Sequence, residues 1–300
     1  MSASDLLDCV IIGAGAAGLT AATYLARFQR RFAIIDGGAS RLLSIPTSHN
    51  YPGFVDGIHG TDLLARLRAH AAHYGAHLIN GTVDRLDRLE DGSFVATCGE
   101  RQWHARTAIL ATGVVDVEPC FPDVRRAVAD GHVRYCPICD GFESIGKRVA
   151  VLGRGKSGFG ESLFVRHYSD DVSLFTLSEP IVMSREEAEL AAQRQVRVVQ
   201  DPVDGLVYDN GAMWIRMHSG ASERFDVVYG ALGTMVNSGV AQMLGAKWTG
   251  NGELEVDAHQ QTTVDGLYAI GDIVPGLNQI AVAMGHAAIA ATAIHNRLNR

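Results

Sequence analysis

The sequence lacks the features that mark a secreted or membrane-embedded protein. Its first residues are not basic, and they lead into a mostly apolar segment at 6–12, which predicts a buried strand and no signal peptide. No apolar run is long enough to span a bilayer without interruption. The 5 cysteines are an odd number in a chain of 300 residues, which does not suit a secreted disulfide scaffold. We therefore expect a cytoplasmic protein.

Basic residues are also fewer than acidic residues. The chain has 26 Lys and Arg residues against 33 Asp and Glu, a net charge of -7, which argues against nucleic acid or an anionic membrane as the main partner. Backbone N–H groups and helix N-termini should then hold any bound phosphate. The 33 glycines suit a backbone that approaches ligands closely. The length fits two domains, or one domain interrupted by another.

A glycine-rich loop near the N-terminus has the pattern of a dinucleotide site. A strand is predicted at 9–12, the loop Gly-Ala-Gly-Ala-Ala-Gly follows at 13–18, and a helix pattern covers 19–27. A second strand at 31–35 leads to Asp36, which is placed to bind a ribose hydroxyl. The three glycines permit the tight turn, the approach of a pyrophosphate, and close packing of helix on strand. The alternative is a plain turn that binds nothing.

Two later segments are predicted as strands of the same sheet. The first, at 107–113, ends in Ala111, Thr112 and Gly113, and the second, at 263–272, ends in Gly271 and Asp272. Ligands gather at the carboxyl ends of parallel strands, so Asp272 is expected to bind a polar group of a cofactor. The alternative is that it caps the next helix.

A second loop of the same kind lies in the middle of the chain. A predicted strand at 148–152 is followed by Gly153, Gly155 and Gly158, then by a helix at 161–166 and a strand at 172–177. This spacing predicts a second nucleotide-binding loop.

The pair Cys136 and Cys139 is the candidate redox centre. Pro137 favours the first turn of a helix, which puts Cys136 at a helix N-terminus, where a thiolate is stabilised. Asp140 follows directly and can carry the proton that disulfide exchange requires. A zinc site, which needs four ligands, and a structural disulfide are the alternatives. Cys9 is interpreted as a core residue.

Five motifs occur along the chain in a fixed order. They are the loop at 13–18, Asn-Tyr-Pro-Gly at 50–53, Ala-Thr-Gly at 111–113, Cys-Pro-Ile-Cys-Asp-Gly-Phe at 136–142 and Ala-Ile-Gly-Asp at 269–272. This set resembles the low-molecular-weight thioredoxin reductases over nearly the whole chain. The resemblance implies an α/β fold of two Rossmann-like three-layer nucleotide-binding domains, the second inserted in the first. It divides the chain into 1–114 and 240–300, the two parts of an FAD-binding domain, and 115–239, a pyridine-nucleotide-like domain that carries the dithiol.

The resemblance also implies cofactors, partners and residue roles. Cys139 is expected to exchange electrons with the flavin, Cys136 to attack the external disulfide, and Asp140 to protonate the leaving thiolate. A homodimer is implied, with a thioredoxin-like protein or a small disulfide as substrate. The residues expected at FAD are Gly13, Ala14, Gly15, Ala16, Ala17, Asp36, Gly37, Asn50, Val83, Ala111, Thr112, Gly113, Gly271, Asp272, Asn278, Gln279 and Ile280. The last three open the final helix, whose N-terminus would stabilise negative charge on the reduced ring.

The inserted domain departs from the family where NADPH would bind. The family has a His-Arg-Arg cluster after the second strand, and this chain has Thr176, Leu177 and Ser178. The loss of two charge-assisted hydrogen bonds would weaken NADPH binding by about 3–6 kcal/mol. Arg154 and Lys156 can offset part of this loss. Glu179 can instead bind a ribose hydroxyl and favour NADH, and an electron donor other than a nicotinamide is the third possibility.

The leading hypothesis is an FAD-dependent disulfide oxidoreductase that moves electrons between flavin, dithiol and substrate. A dithiol oxidase that uses oxygen, a reductase fed by ferredoxin and a flavin redox sensor are the alternatives. Because the dithiol and the flavin belong to different domains, we expect the domains to rotate about segments 114–122 and 232–239.

Overall fold

The computed structural model describes residues 6–153, 155–177 and 180–299, with 155 and 156 described by their backbone alone. The chain separates into two compact units. The first comprises the described parts of Met1–Leu43, Ile58–Val115 and Met235–Arg300, and the second comprises Ser44–Gly57 and Asp116–Thr234. The segment Ser44–Gly57 thus lies with the inserted unit, whereas the sequence analysis assigns it to the first part of the FAD-binding domain. The domain bounds expected from the resemblance stay a prediction.

Strands and helices alternate in both units, so the predicted fold class, α/β with two Rossmann-like units, is confirmed. The strands are β1 (Leu7–Ile12), β2 (Phe32–Asp36), β3 (Leu78–Asn80), β4 (Arg85–Arg88), β5 (Phe94–Cys98), β6 (Arg101–Leu110), β7 (Val114–Asp116), β8 (Val133–Arg134), β9 (Arg148–Gly153), β10 (Asp171–Phe175), β11 (Val196–Val198), β12 (Val203–Asp209), β13 (Ala212–Met217), β14 (Ser222–Phe225), β15 (Val227–Ala231), β16 (Thr234–Val236) and β17 (Leu267–Ala269). The α-helices are α1 (Ala16–Arg27), α2 (Gly60–His73), α3 (Val124–Ala129), α4 (Pro137–Asp140), α5 (Gly155–Val165), α6 (Arg185–Gln193), α7 (Gly239–Met243) and α8 (Ile280–Leu298). None of the helices in the described ranges is long and apolar enough to cross a membrane.

The first unit is built on a sheet in the order β3-β2-β1-β6-β5-β4. β6 has two partners on one side, because its first half pairs antiparallel with β5 and its last residues pair parallel with β17. Ile12 is level with Ile35 and with Leu110, and Leu110 is level with Ala269. The carboxyl ends of β1, β2, β6 and β17 therefore meet at one edge of the sheet. Apolar side chains of these strands form a buried core, and α1 packs against α8.

One strand is shorter than the sequence predicts. Of the predicted strand 263–272, only Leu267–Ala269 is strand. Gly266 has φ +83°, a left-handed conformation that turns the chain before the strand begins. Asp272 lies in a short 3₁₀ turn, Gly271–Ile273, after the strand has ended.

The second unit has a parallel sheet in the order β11-β10-β9-β15-β8 and a separate antiparallel sheet of β12, β13 and β14. The rings of Phe175 and Phe225 meet edge to face in its core, 5.4 Å apart. β8 is an edge strand that ends at Arg134, level with Tyr229 of β15. The dithiol segment therefore starts just beyond the carboxyl end of β8.

The two passages of the chain between the units pair with each other. β7 and β16 form a two-stranded sheet. The backbone N–H of Val117 donates to the carbonyl of Gly233 at 2.9 Å, and that of Asn237 donates to Gly113 at 3.0 Å. The rotation expected about these segments stays a prediction.

Candidate active site

Cys136 and Cys139 are joined in a disulfide at the start of a single helical turn. Cys136 is the N-cap of α4 and Pro137 occupies its first position, which confirms the predicted placement of Cys136 at a helix N-terminus. The N–H of Cys139 donates to the carbonyl of Cys136 at 2.9 Å and closes the turn. Both cysteines are half-buried. The other three cysteines carry free thiols, and Cys9 is fully buried in the core as predicted.

Asp140 ends the same turn, and its environment favours the protonated form. The pKa of Asp140 is raised to about 6, with burial as the largest cause and Glu143 acting in the same direction. Arg134, a hydrogen bond from Tyr229 and Lys147 act in the opposite direction. A carboxyl group with this pKa can both take up and release a proton near neutral pH, which suits a general acid and base.

A loop of the same unit contacts the dithiol segment. Asn50 Nδ2 donates to the carbonyl of Ile138, one of the two residues between the cysteines, at 3.3 Å. Residues 49–55 line a cleft of about 400 Å³, in which the rings of Tyr51 and Phe54 stack 5.8 Å apart. The contact between Asn50 and Ile138 escaped the sequence analysis, because the two residues are 88 positions apart and no local pattern joins them.

Exposed apolar side chains lie along the dithiol segment. Ile138, Phe142 and Ile145 are 47%, 70% and 56% exposed. Single exposed apolar residues are common, but three within eight positions beside a disulfide are more than a scattered surface residue.

The N-terminal glycine loop is packed as the sequence predicts. A Cβ on Gly18 would lie 1.9 Å from the carbonyl oxygen of Gly13, and Gly13 itself has φ +101°. Around Gly15 there is more room, because the nearest atom to a Cβ there is Ser40 Oγ at 3.4 Å. Gly15 is the N-cap of α1, and no side chain caps this helix. Its first turn also has no acidic residue to repel an anion, so the N–H groups of that turn suit a pyrophosphate.

The carboxylates at the same sheet edge are held by arginines. Asp36 is buried, accepts a hydrogen bond from the N–H of Ala14 at 3.2 Å, and forms an ion pair with Arg68 at 3.2 Å. Asp272 forms an ion pair with Arg41 at 3.0 Å. Arg41 was missed by sequence reasoning because it is 231 positions from Asp272.

Of the other residues expected at FAD, several follow the strands of this sheet or belong to its core, whereas Asn50 lies in the other unit beside Ile138. Thr112 is tied to Asn237: its Oγ1 donates to the Asn237 carbonyl at 2.6 Å, and Asn237 Nδ2 donates back to the Thr112 carbonyl at 3.0 Å. Val83 belongs to the buried core, Ala111 is also buried, and Gly37 follows β2. Residues 278–280 stand at the start of α8, where the sequence predicts them, with Gln279 as the N-cap.

The second glycine loop keeps its close packing. A Cβ on Gly153 would lie 2.3 Å from the Cα of Gly158. On α5, burial raises the pKa of Glu161 to about 7, and its Oε2 has no hydrogen-bond partner among the described residues. Arg148 and Arg197, the arginines of β9 and β11, both form ion pairs with Glu223. The expectations for Arg154, the Lys156 side chain, Ser178 and Glu179 lie outside the described residues.

Comparisons with known proteins agree with this architecture. The model of the family Pyridine nucleotide-disulphide oxidoreductase matches residues 7–287. The thioredoxin reductase of Treponema pallidum (strain Nichols) is 28% identical over 296 residues, 95% of this chain and 95% of that protein. The crystal structure of HlmI has a TM-score of 0.91 at 28% identity and covers 100% of this chain and 94% of that chain. The thioredoxin reductase from Streptococcus pyogenes MGAS5005 has a TM-score of 0.90 at 26% identity and covers 98% and 99%.

The chain therefore belongs to the pyridine nucleotide-disulphide oxidoreductase family and is an oxidoreductase. Within that family it is similar to thioredoxin reductases, so the resemblance predicted from the ordered motifs is confirmed.

Proposed function

We propose that the protein is an FAD-dependent disulfide oxidoreductase that moves electrons between flavin, the dithiol of Cys136 and Cys139, and a thioredoxin-like protein or small disulfide. The observation that carries this proposal is the disulfide on a helical turn that ends in Asp140, a carboxyl whose pKa is raised to about 6. A structural disulfide needs no acid–base group beside it, whereas thiol–disulfide exchange must move protons.

The binding of FAD is supported by the first glycine loop. The space left around Gly15, the uncapped first turn of α1 and the carboxylate of Asp36 match the needs of a pyrophosphate and a ribose. Asp272 and the N-terminus of α8 are the groups proposed for the flavin end. When bound, FAD supplies the two-electron exchange that the side chains of this chain cannot perform.

The chain's own residues handle sulfur and protons. Cys136 is proposed to attack the external disulfide because it is the N-cap, where a thiolate is favoured. Cys139 then displaces the product from Cys136 and restores the disulfide. Asp140 takes the proton of each attacking thiol and gives it to each leaving thiolate.

A nicotinamide nucleotide is the proposed electron donor, bound at the second glycine loop. The packing of Gly153 on Gly158 supports this, because it is the packing that a nucleotide-binding turn requires. Thr176 and Leu177, the described residues after β10, carry no charge. We therefore propose that the protein prefers NADPH over NADH less strongly than it would with an arginine pair at the 2′-phosphate.

We also propose a homodimer in the cytoplasm. The dimer follows from the resemblance to thioredoxin reductases. The three free thiols of Cys9, Cys98 and Cys120 suit a reducing compartment.

The function is tested by anaerobic bleaching of the yellow protein with NADPH, NADH and reduced ferredoxin, each added separately. We expect both nicotinamides to bleach it and the disulfide to open. Bleaching by ferredoxin alone would contradict the proposed donor, and a protein that takes up no FAD would contradict the function.

The sulfur roles are tested on single variants. We expect Cys136→Ser to keep a thiolate-to-flavin charge-transfer absorption and Cys139→Ser to lose it. The reverse pattern would show that Cys136 exchanges electrons with the flavin and that Cys139 attacks the external disulfide.

A further inference from the structure

A buried hydrogen-bond network lies behind the acid of the dithiol segment. Tyr229 of β15 is fully buried, and its hydroxyl donates to Asp140 Oδ1 at 2.8 Å. Ser144 Oγ lies 3.0 Å from the same hydroxyl. Arg134 Nη1 donates to the Asp140 carbonyl at 2.7 Å and to Ser144 Oγ at 3.2 Å. Three side chains, on β8, on β15 and in the segment after α4, therefore form one hydrogen-bonded network with Asp140, and Tyr229 contacts its carboxyl group directly.

The hydroxyl of Tyr229 carries a single proton, and this limits how the network can be arranged. Asp140 Oδ1 at 2.8 Å is a nearer acceptor than the Asp140 backbone carbonyl at 3.1 Å and Ser144 Oγ at 3.0 Å, so the proton is assigned to Oδ1 and Ser144 donates to Tyr229. With Oδ1 occupied by the tyrosine proton, a proton that Asp140 takes up is carried on Oδ2. The network thereby selects one of the two carboxyl oxygens.

We propose that Tyr229, supported by Ser144 and Arg134, is a positioning residue that holds Asp140 through Oδ1 and leaves Oδ2 to exchange protons with the reacting sulfurs. This inference rests on the proposed function and deepens it. Nothing local in the sequence indicates this role, because Tyr229 is 89 positions from Asp140.

The step that Oδ2 serves is balanced in atoms and electrons. Asp140 takes the proton of Cys136, whose thiolate attacks the external disulfide, so that one S–S bond forms and one breaks. The first leaving thiolate receives that proton from Oδ2. Cys139 then loses its proton to Asp140 and attacks Cys136, and the second thiolate leaves with that proton. The dithiol is oxidised by two electrons and the external disulfide is reduced by two.

The charged groups around Asp140 come from several elements. Arg134 lies on β8, Glu143 and Lys147 follow α4, and Tyr229 lies on β15. Glu161 lies on α5, which packs against α4, and burial is the cause of its raised pKa. Removal of the tyrosine hydroxyl takes away a hydrogen bond that favours the carboxylate, so the pKa of Asp140 should rise above 6.

The test compares two small disulfides that differ in the leaving group. Fully reduced protein is mixed with bis(2-hydroxyethyl) disulfide, whose leaving thiolate needs a proton, or with 5,5′-dithiobis(2-nitrobenzoate), whose leaving thiolate does not. Protein thiols are counted by mass spectrometry after acid quench and alkylation, so the readout needs no cofactor. We expect Tyr229→Phe to slow the first reaction about tenfold or more and the second by a clearly smaller factor, because both reactions need deprotonation of the attacking thiols but only the first needs protonation of the leaving thiolate.

The matched control is Tyr208→Phe, which removes a tyrosine–aspartate hydrogen bond of 2.7 Å to Asp130 on the surface of the same unit. It should change neither rate. As a second readout, the pKa of Asp140 is followed by ¹³C NMR of its carboxyl group and should rise in Tyr229→Phe only. Ser144→Ala removes the hydrogen-bond donor to Tyr229. It should slow the reaction with bis(2-hydroxyethyl) disulfide and raise the pKa of Asp140, both by less than Tyr229→Phe does. This second variant keeps the test valid if Tyr229→Phe does not fold.

The outcomes separate the two claims. If the unchanged protein reacts with neither disulfide, the proposed function fails. If it reacts with both and Tyr229→Phe slows both equally, or slows neither, the positioning role is overturned while the proposed function stands.

Discussion

Replacement of Asp140 by Asn should make the protein more stable at high pH, even though it removes the proposed acid. The pKa of this carboxyl is about 6 in the folded chain against an ordinary value of 3.8. A rise of about two pH units corresponds to about 3 kcal/mol by which folding disfavours the ionised form. Asn keeps an acceptor oxygen for Tyr229 and has no charge to bury.

The sign of this effect sets its pH dependence. Above pH 7 the folded chain must bury an ionised Asp140, so Asp140→Asn should raise the free energy of unfolding by about 3 kcal/mol. As the pH falls through 6 towards 4, the native carboxyl takes up its proton and the advantage of Asn disappears. Between pH 8.5 and pH 5 the difference between the two proteins should shrink by about half.

The assay is urea denaturation of the oxidised protein at both pH values, followed by circular dichroism. Asp170→Asn is the matched control, since the Asp170 side chain is fully exposed at the surface of the same unit. Its effect should be small, because the interaction it removes is an exposed ion pair with Arg166. An Asp140→Asn protein that is less stable than the unchanged chain at pH 8.5, or equally shifted at pH 5, would refute burial as the cause of the raised pKa.

Three further predictions follow from the packing and from the exposed surface. Gly18→Ala should lower the free energy of unfolding by about 1–3 kcal/mol or more in urea denaturation, because its Cβ would lie 1.9 Å from the Gly13 carbonyl oxygen. Gly15→Ala should leave the free energy of unfolding unchanged and weaken FAD binding, as measured by flavin titration. Glu161→Gln should raise stability by about 1–2 kcal/mol above pH 7, with the gain lost as the pH falls from 7 towards 4.5, as urea denaturation across that range would show. Phe142→Ser should slow reduction of a thioredoxin-like protein about tenfold while leaving a small disulfide unaffected in parallel stopped-flow assays, since this ring is 70% exposed beside the dithiol.

The features that the sequence predicts well are those fixed by short-range constraints. Gly13 and Gly18 touch within one turn, and Pro137 sets the helix start beside Cys136, so spacing alone indicates both arrangements. The predicted strand at 263–272 was too long, because the apolar pattern continues past the turn at Gly266.

The polar partners of the site were not predictable in the same way. Tyr229, Arg41 and Asn50 reach their partners across 89, 231 and 88 positions of chain, and each contact exists only once the sheets have formed. A tyrosine within the apolar strand 227–231 is a weak signal, because a buried tyrosine needs a partner for its hydroxyl but does not indicate which one.

The divided pairing of β6 bears on the order in which the protein is completed during synthesis. Its residues 108–110 pair with β17, and α1 packs against α8, so both partners leave the ribosome only after the whole second unit has been made. Every segment of the second unit has been made once residue 234 has emerged. The second unit can therefore fold first, although its first residue comes later in the chain. While it folds, the strands of the first unit still lack β17 and α8 as partners.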